Sequence, residues 1–557
     1  MKNNGHQARL IVVSCFFLLL LGALLWRMLD LTVLHRQFLQ GQGDARSLRV
    51  VDIPAHRGMI TDRQGIPLAV STPVQSVWVN PKTFAPTISQ LTKLCRLLNL
   101  SPRYLRSSLR QSGNREFLYL HRQLPPTLAK KIEELNIPGV NFQQEFKRYY
   151  PEGETMAQLL GFTNIDDIGI EGLELAYQDW LMGINGKKRV VKDRMGEIIE
   201  ELGVIKTPRP GQDLVLSIDR RIQYLAYHEL QNTMDKFAAK SGSVVVVDAR
   251  NGEILAVANA PSFNPNARGR YTLDSYRNRA LTDTFEPGSV IKAFSIASAL
   301  GSGLFKPDTI IDTRPSWMIV HGHTIRDIHN YGVLDVTGVL QHSSNVGVAK
   351  MVLASPPEQL IGLLQRVGFG QRTESGYPGE SDGGIVSVKD ANPFVLGTVS
   401  FGYGMTVTAL QLAKAYLIFA NEGRLKPVTL LHTENTQNET TGEQVLDKKT
   451  AKQVLAMLEA VMNGGTGRSA RVPGYRVAGK TGTAQIAGKN GYEKDRHIAS
   501  FVGIAPVSNP RLVVVVVIHE PTKNGYYAAS VAAPLFAQVM SGTLRILDVP
   551  PDQTTTT

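Results

Sequence analysis

The stretch FEPGSVIKAFSIASAL, residues 285–300, places one lysine inside an otherwise apolar run. Pro287 and Gly288 read as a turn, and the residues after them predict a helix to Gly301. In that helix Val290, Ile291, Ala293, Phe294, Ile296, Ala297, Ala299 and Leu300 leave no polar face. A helix that is apolar all round is a buried helix, so Lys292 is expected to be buried with it. A buried ammonium must find partners or lose its proton. Residues i and i+3 share a helix face, which puts Lys292 beside Ser289. An amine of lowered proton affinity next to a hydroxyl is a general base next to a nucleophile. The helix N-terminus would add backbone N–H groups for a developing oxyanion. The plainer alternative is a structural lysine paired with an acid elsewhere, and this stretch alone leaves both open.

Two further segments bear on the choice. QHSSNVGVAKMVLA, residues 341–354, sets Ser343 and Asn345 at a second helix start, and VAGKTGTAQI, residues 477–486, sets Lys480, Thr481, Gly482 and Thr483 in a strand. Each pattern is common by itself: Ser262/Asn264 and Ser112/Asn114 repeat the Ser-x-Asn spacing, and Lys240-Ser-Gly242 imitates Lys-Thr-Gly. The ordered set of Ser289–Lys292, Ser343–Asn345 and Lys480–Gly482 is informative. It is the arrangement of the penicillin-binding serine acyltransferases.

Around these segments the chain has room for two or three domains, with 557 residues of which 43% are hydrophobic and 19% charged. The formal net charge is +12, which suits a solvated basic surface or work near anionic membrane or wall polymer. No zinc-finger or RNA-binding signature and no long Lys/Arg run is present, so nucleic acid is not an expected partner. Cys15 and Cys95, the two cysteines, are poorly placed to pair with each other. LIVVSCFFLLLLGALLW, residues 10–26, carries no charge and spans about 25 Å as a helix. Extension to Leu29, with Arg27 reaching for the interface, gives about 30 Å. No small-residue cleavage site follows, so the reading is an uncleaved signal-anchor. Lys2 and Arg9 before it and Arg27 and Arg36 after it leave its orientation open.

Beyond the anchor, residues 53–71 read as two strands around the turn Asp62–Gly65. Ile88, Leu91, Leu94 and Leu97 carry helical periodicity. Pro208, Pro210 and Gly211 look like a boundary. An amphipathic helix follows, with Ile218, Ile222, Leu225, Ala226, Leu230, Met234 and Phe237 on one face. Two apolar strands then flank Asn251-Gly252, a hairpin signal because both residues tolerate positive φ. Helices are expected to about residue 470, then three strands, then a helix over 533–546 and a disordered polar tail. Strands at both ends with helices between them predict one antiparallel sheet sandwiched by helices. His321, His323 and His329 read as solvent-facing residues of a hairpin and loop, not as a metal site, because no cysteine or carboxylate cluster joins them.

With these motifs in hand, the chain resembles a class B penicillin-binding protein, most of all the septal, cell-division D,D-transpeptidase of Gram-negative bacteria or a paralogue of it. EPGSVIKAF, HSSNVGVAK, SFGYGMTVTALQLA and GKTGTAQ resemble its transpeptidase domain. RGMITDRQGIPLA, RYYPEGETMAQLLGF and GIEGLE resemble its N-terminal pedestal. The resemblance implies an α+β protein with a cytoplasmic tail over residues 1–9 and a transmembrane signal-anchor over 10–29. An elongated, non-catalytic, dimerisation-like pedestal follows over 30–210, then a transpeptidase domain over 211–547 and the disordered tail over 548–557. It implies an inner-membrane protein with a periplasmic body that crosslinks peptidoglycan stem peptides.

In that scheme Ser289 attacks the D-Ala-D-Ala bond of a donor peptide and Lys292 takes its proton. Ser343 relays a proton to the leaving group, and Asn345 holds the donor amide. Lys480 and Thr481 bind the terminal carboxylate, Gly482 lets the strand approach the substrate, and the N–H groups of Ser289 and Thr483 form the oxyanion hole. A diaminopimelate amine then resolves the acyl-enzyme, and β-lactams would leave it stable. No cofactor or metal is implied. A polytopic glycosyltransferase of lipid II and other divisome proteins are the implied partners. Arg57, Asp62, Arg63, Arg148, Glu171 and Glu174 would hold the pedestal together. His342 departs from the family's usual residue before Ser-Ser-Asn and would tune activity toward mildly acidic conditions. The alternatives are a D,D-carboxypeptidase-like or β-lactam-hydrolysing relative, and a scaffold or β-lactam sensor without turnover.

Overall fold

The computed structural model describes residues 4–113, 115–192, 198–433, 442–488 and 491–553. The first element is helix α1 (Asn4–Leu29). With the turn that follows it, it forms an apolar helix over His6–Leu34, long enough to cross a membrane and with no side chain of its most apolar window buried. Asp30 ends the apolar run and is held by Arg27 and His35, each at 2.7 Å.

The described chain packs as two compact units. The smaller comprises residues up to His56, Thr72–Lys147 and Gly183–Gly211; the larger comprises Arg57–Ser71, Arg148–Met182 and everything from Gln212 onward. In the smaller unit, β1 (Leu48–Ile53) pairs antiparallel with the strand Gly186–Lys192, which pairs in turn with Ile198–Lys206. A second pairing joins Gln75–Val79, in the part of β2 (Pro67–Val79) that belongs to this unit, to β3 (Leu118–Leu124). Helix α2 (Ile88–Leu97), capped by a reciprocal Thr87–Gln90 box, covers Val77 and Leu124 together with the helix Pro126–Glu133, and α3 (Pro102–Gln111), capped by Ser101, packs on α2. Leu94 lies in that core, as the periodicity predicts, and Leu98, just after the helix, joins it. Ile88, at the same spacing, is exposed, because it sits in the first turn of α2 before the helix meets the core.

The larger unit is built on a five-stranded antiparallel sheet. Its first two strands, β4 (Ser241–Asp248) and β5 (Ile254–Ala260), form the predicted hairpin. The turn differs from expectation: only Gly252 has positive φ (+79°), while Asn251 uses its side chain to accept from Glu253 N–H. The remaining strands come from the C-terminal part: β6 (Ala478–Gly488), β7 (Gly491–Ala505) and β8 (Leu512–His519). The spatial order is β5-β4-β8-β7-β6.

Alternation sends Val244, Val246, Val514 and Val516 to one face. There they meet α4 (Arg220–Phe237) and, at the far end of the chain, the helix Ala532–Ile546. Val245, Val247, Val513, Val515 and Val517 face the other way. That side holds α5 (Lys292–Gly301), α6 (Asn345–Leu353) and α7 (Ala409–Ala420). Strands covered on both faces read as unbroken valine runs for this reason. Within the region predicted to be helical, the structure adds short strands, among them the hairpin Trp317–Val320 with His323–Arg326.

Three charged residues of the N-terminal motifs meet inside the larger unit. Arg57 and Arg148 both bind Glu174, at 2.7 and 2.6 Å, with all three side chains at most 1% exposed. Arg63 binds Glu253 at 3.0 Å, tying the 57–71 segment to the β4–β5 hairpin. Glu171 is exposed. The expected disordered tail is corrected in part. The Asp552 carboxylate accepts N–H bonds from Arg476 (2.7 Å) and Ser508 (3.0 Å), and Tyr475 donates to the Val549 carbonyl. These bonds hold residues 548–553, because the carboxylate satisfies two main-chain donors that would otherwise lack partners. The last four residues lie outside the described chain.

Candidate active site

Ser289 stands on a single 3₁₀ turn, Gly288–Ile291, that runs straight into α5. Residues i and i+3 eclipse in such a turn, so Ser289 and Lys292 project to one side. The turn is held from behind: Gly288 N–H donates to the Gly402 carbonyl (3.1 Å), and the Tyr416 hydroxyl donates to the Val290 carbonyl (2.6 Å). The apolar remainder of α5 is fixed by an aromatic cluster, in which Phe294 contacts Phe369, Tyr416 and Phe419 with ring centroids 5.2–5.5 Å apart.

Lys292 is fully buried, as the apolar run predicts. Its amine bonds the Ser343 carbonyl (2.5 Å), Asn345 Oδ1 (2.7 Å) and Ser343 Oγ (3.1 Å). Among the described residues no hydrogen bond joins it to Ser289. Lys480, also fully buried, reaches the same hydroxyl from β6: Nζ lies 3.0 Å from Ser343 Oγ, 3.0 Å from the Thr481 carbonyl and 3.4 Å from Thr481 Oγ1. Ser343 Oγ therefore sits between two lysine amines. Burial, and next the charge of Lys480, push the Lys292 amine well below the ordinary lysine range; Asp327 opposes the shift. Burial pushes Lys480 down to about 7.

Sequence reasoning found these groups but not what positions them. Asp327, just beyond the strand His323–Arg326, accepts from Ser344 Oγ (2.6 Å), Asn345 N–H (2.5 Å) and Val346 N–H (3.1 Å). A carboxylate at the start of α6 is favoured by the helix dipole and its unpaired N–H groups. Asn345 Nδ2 donates to the Arg326 carbonyl (2.9 Å), so the amide is clamped at both ends. Ser343 has φ +59°, a left-handed conformation uncommon outside glycine, and its carbonyl is one of the two closest acceptors of Lys292. No local pattern links Asp327 to Asn345. They lie 18 residues apart, and only the hairpin brings them together.

The remaining predicted residues line β6. Thr481 Oγ1 shares a hydrogen with Thr466 Oγ1 (2.8 Å), a partner unseen in the sequence. Thr483 Oγ1 accepts from Ala528 N–H (3.0 Å). Gly482 is needed for close approach. A Cβ there would lie 2.5 Å from Ser500 Oγ and 2.7 Å from the Pro287 carbonyl, in the turn that precedes Ser289. The structure thus gathers Ser289, Lys292, Ser343, Asn345 and the Lys480–Thr483 strand in the larger unit. His342 is exposed, its ring 5.2 Å from that of Tyr331, and among the described residues it makes no bond to this network. His323 stacks on Phe394 at 4.2 Å while His329 contacts Tyr331, so the histidines of that region serve different neighbours.

Residues 242–541 match the penicillin-binding protein transpeptidase domain. The chain is a penicillin-binding protein. Residues 52–216 of this penicillin-binding protein match the family's dimerisation domain. It is 44% identical to the probable peptidoglycan D,D-transpeptidase PbpC of Pseudomonas aeruginosa, over 99% of this chain and 97% of that one. It is 41% identical to the peptidoglycan D,D-transpeptidase FtsI of Escherichia coli, over 97% and 92%. Among solved structures, the penicillin-binding protein resembles a peptidoglycan synthetase from Bifidobacterium adolescentis with a TM-score of 0.72 at 27% identity, covering 92% of this chain and 98% of that one. The transpeptidase domain of Burkholderia pseudomallei penicillin-binding protein 3 matches at 40% identity with a TM-score of 0.56, covering 61% and 98%.

Proposed function

We propose that this penicillin-binding protein is a peptidoglycan D,D-transpeptidase of the septum, anchored in the inner membrane by α1 with its body in the periplasm. The observation that carries the catalytic part is the line Lys292–Ser343 Oγ–Lys480 beside Ser289. A neutral Lys292 has two N–H donors and one lone pair. The donors match the two closest acceptors, the Ser343 carbonyl and Asn345 Oδ1, which leaves the lone pair for a hydroxyl proton.

Ser289 attacks the carbonyl of the donor's D-Ala-D-Ala bond as Lys292 accepts its proton. The N–H groups of Ser289 and Thr483 stabilise the oxyanion. The proton passes through Ser343 Oγ to the departing D-Ala amine, while Asn345 holds the donor amide. Lys480 and Thr481 bind the terminal carboxylate, which a cation and a hydroxyl suit. A diaminopimelate amine of a second stem then attacks the acyl-enzyme and forms the crosslink. β-Lactams occupy the same place and leave a stable acyl-Ser289. A polytopic lipid II glycosyltransferase and other division proteins are the partners this reading requires.

Labelling with a fluorescent penicillin, followed by washing over hours, tests the reading. The wild type should retain label and Ser289→Ala should take none. Rapid loss of label would instead indicate a hydrolase, and an unlabelled but folded wild type a scaffold.

A further inference from the structure

The net charge is carried by one unit. Residues of the smaller unit include 24 Lys and Arg against 11 Asp and Glu, whereas those of the larger include 36 against 37. Within the smaller unit the excess is concentrated. No Asp or Glu lies between Asp62 and Glu116, and α2 and α3 expose Lys93, Arg96, Arg103, Arg106 and Arg110. None of the five has an ion-pair partner among the described residues. Arg103, Arg106 and Arg110 recur at i, i+3 and i+7, so they form one row along α3. Arg106 lies near enough to Cys95 on α2 to pull its thiol pKa down against the upward push of burial. The two helices pack against each other, so Arg106 of α3 lies close to α2.

Fold stability does not account for this row. Arg96 and Arg110 lie in last turns, where the helix dipole favours a cation, but Arg103 lies in the first turn of α3, where it is opposed. Arg103–Arg106 and Arg106–Arg110 are like-charge neighbours that weaken an isolated helix. Nor is the face shaped for insertion into lipid: the apolar side of α3 is turned into the protein, with Leu105 1% exposed. On the same helix, one position after Arg103 and to the side of the arginine row, Tyr104 is 63% exposed. Four guanidinium groups, an ammonium and an aromatic ring suit a polymer that alternates sugars with carboxylates, because arginine pairs bidentately with carboxylate and a ring offers a flat face to a sugar.

We propose that the α2–α3 face of the smaller unit binds the anionic peptidoglycan strand itself, through stem-peptide carboxylates, as a site separate from the one that reacts. The identity of the polymer rests on the transpeptidase reading; the presence of an anion-binding face does not.

The test uses the full chain in neutral detergent, sedimented with purified insoluble peptidoglycan sacculi. Three forms are compared: wild type, a variant with Lys93→Gln, Arg96→Gln, Arg103→Gln, Arg106→Gln and Arg110→Gln, and a variant with the four arginines changed to lysine. The glutamine variant should bind about tenfold more weakly. The lysine variant should fall between wild type and the glutamine variant, because lysine keeps the charge and loses the bidentate pairing. Wild-type binding should fall as salt rises from about 0.05 to about 0.5 M, and sacculi with amidated carboxyl groups should lose the preference for wild type. Penicillin acylation should be equal in all three, showing that each is folded. If no form is acylated, the catalytic reading fails while sedimentation still reports on this face. Equal sedimentation of wild type and glutamine variant overturns the proposal. A difference confined to uptake of phosphatidylglycerol into the detergent micelles also overturns it, and assigns the face to a lipid surface.

Discussion

In the proposed reaction Lys292 concentrates the chemistry in one amine. Its proton affinity is lowered first by burial and then by the charge of Lys480, so it can act as a base without strong alkali. Acylation by penicillin should rise with pH as Lys292 loses its proton, with a midpoint well below the ordinary lysine value of about 10.4. Lys292→Met should lower the acylation rate by about 10²- to 10⁴-fold. Lys480→Met should move the midpoint upward, because it removes a cation that disfavours a second proton nearby; an unmoved midpoint would show that the two amines do not communicate. Stability follows the same sign. Lys480 has a folded value of about 7, below its unfolded value. The burial penalty is therefore full below about pH 7 and is relieved as pH rises toward about 10. The Lys480→Met variant should lose this dependence in chemical unfolding measured across that range. The residues of this network were legible in the sequence because a cation in an apolar helix is improbable without a purpose. Asp327 and Thr466 were not, because their roles come from pairings across loops that no local pattern records.

At the level of elements, β6 and the Ser289 turn fit with no space to spare. Gly482→Ala should displace the turn at Pro287 or open β6 from β7 near Ser500. Acylation should then fall well before global stability does, a separation visible by comparing penicillin labelling with thermal melting. The Arg57–Glu174–Arg148 cluster behaves differently. Glu174→Ala would leave two buried guanidinium groups without their anion, a loss of about 3–5 kcal/mol, measurable by denaturant unfolding. The helices and the valine strands were readable from periodicity and composition, since burial on one or both faces writes itself into the pattern. The packing of segments 57–71 and 148–182 with residues far downstream was not, because ion pairs between distant segments leave no periodic trace.

At the scale of the whole molecule, α1 is chemically distinct from all that follows. A chain lacking residues 1–35 should remain in solution without detergent and be acylated by penicillin at the wild-type rate; dependence of acylation on α1 would show the anchor to be more than a tether. The basic balance noted from composition has a location that composition could not give: it belongs to the smaller unit, while the larger is nearly neutral.

The distances along the chain between the parts of the active site have a further consequence, one of timing. Lys292 is bonded to Asn345, 53 residues on, and Ser343 to Lys480 another 137 residues later. Contacts so far apart form late in folding, because each requires a long loop to close. During synthesis Ser289, the proposed nucleophile, leaves the ribosome long before the strand that completes its surroundings. On this reading a nascent chain is blind to penicillin until nearly all of it has been made. Acquisition of the covalent label would thus report the last stage of maturation, making the antibiotic a clock for folding as well as a probe of the enzyme.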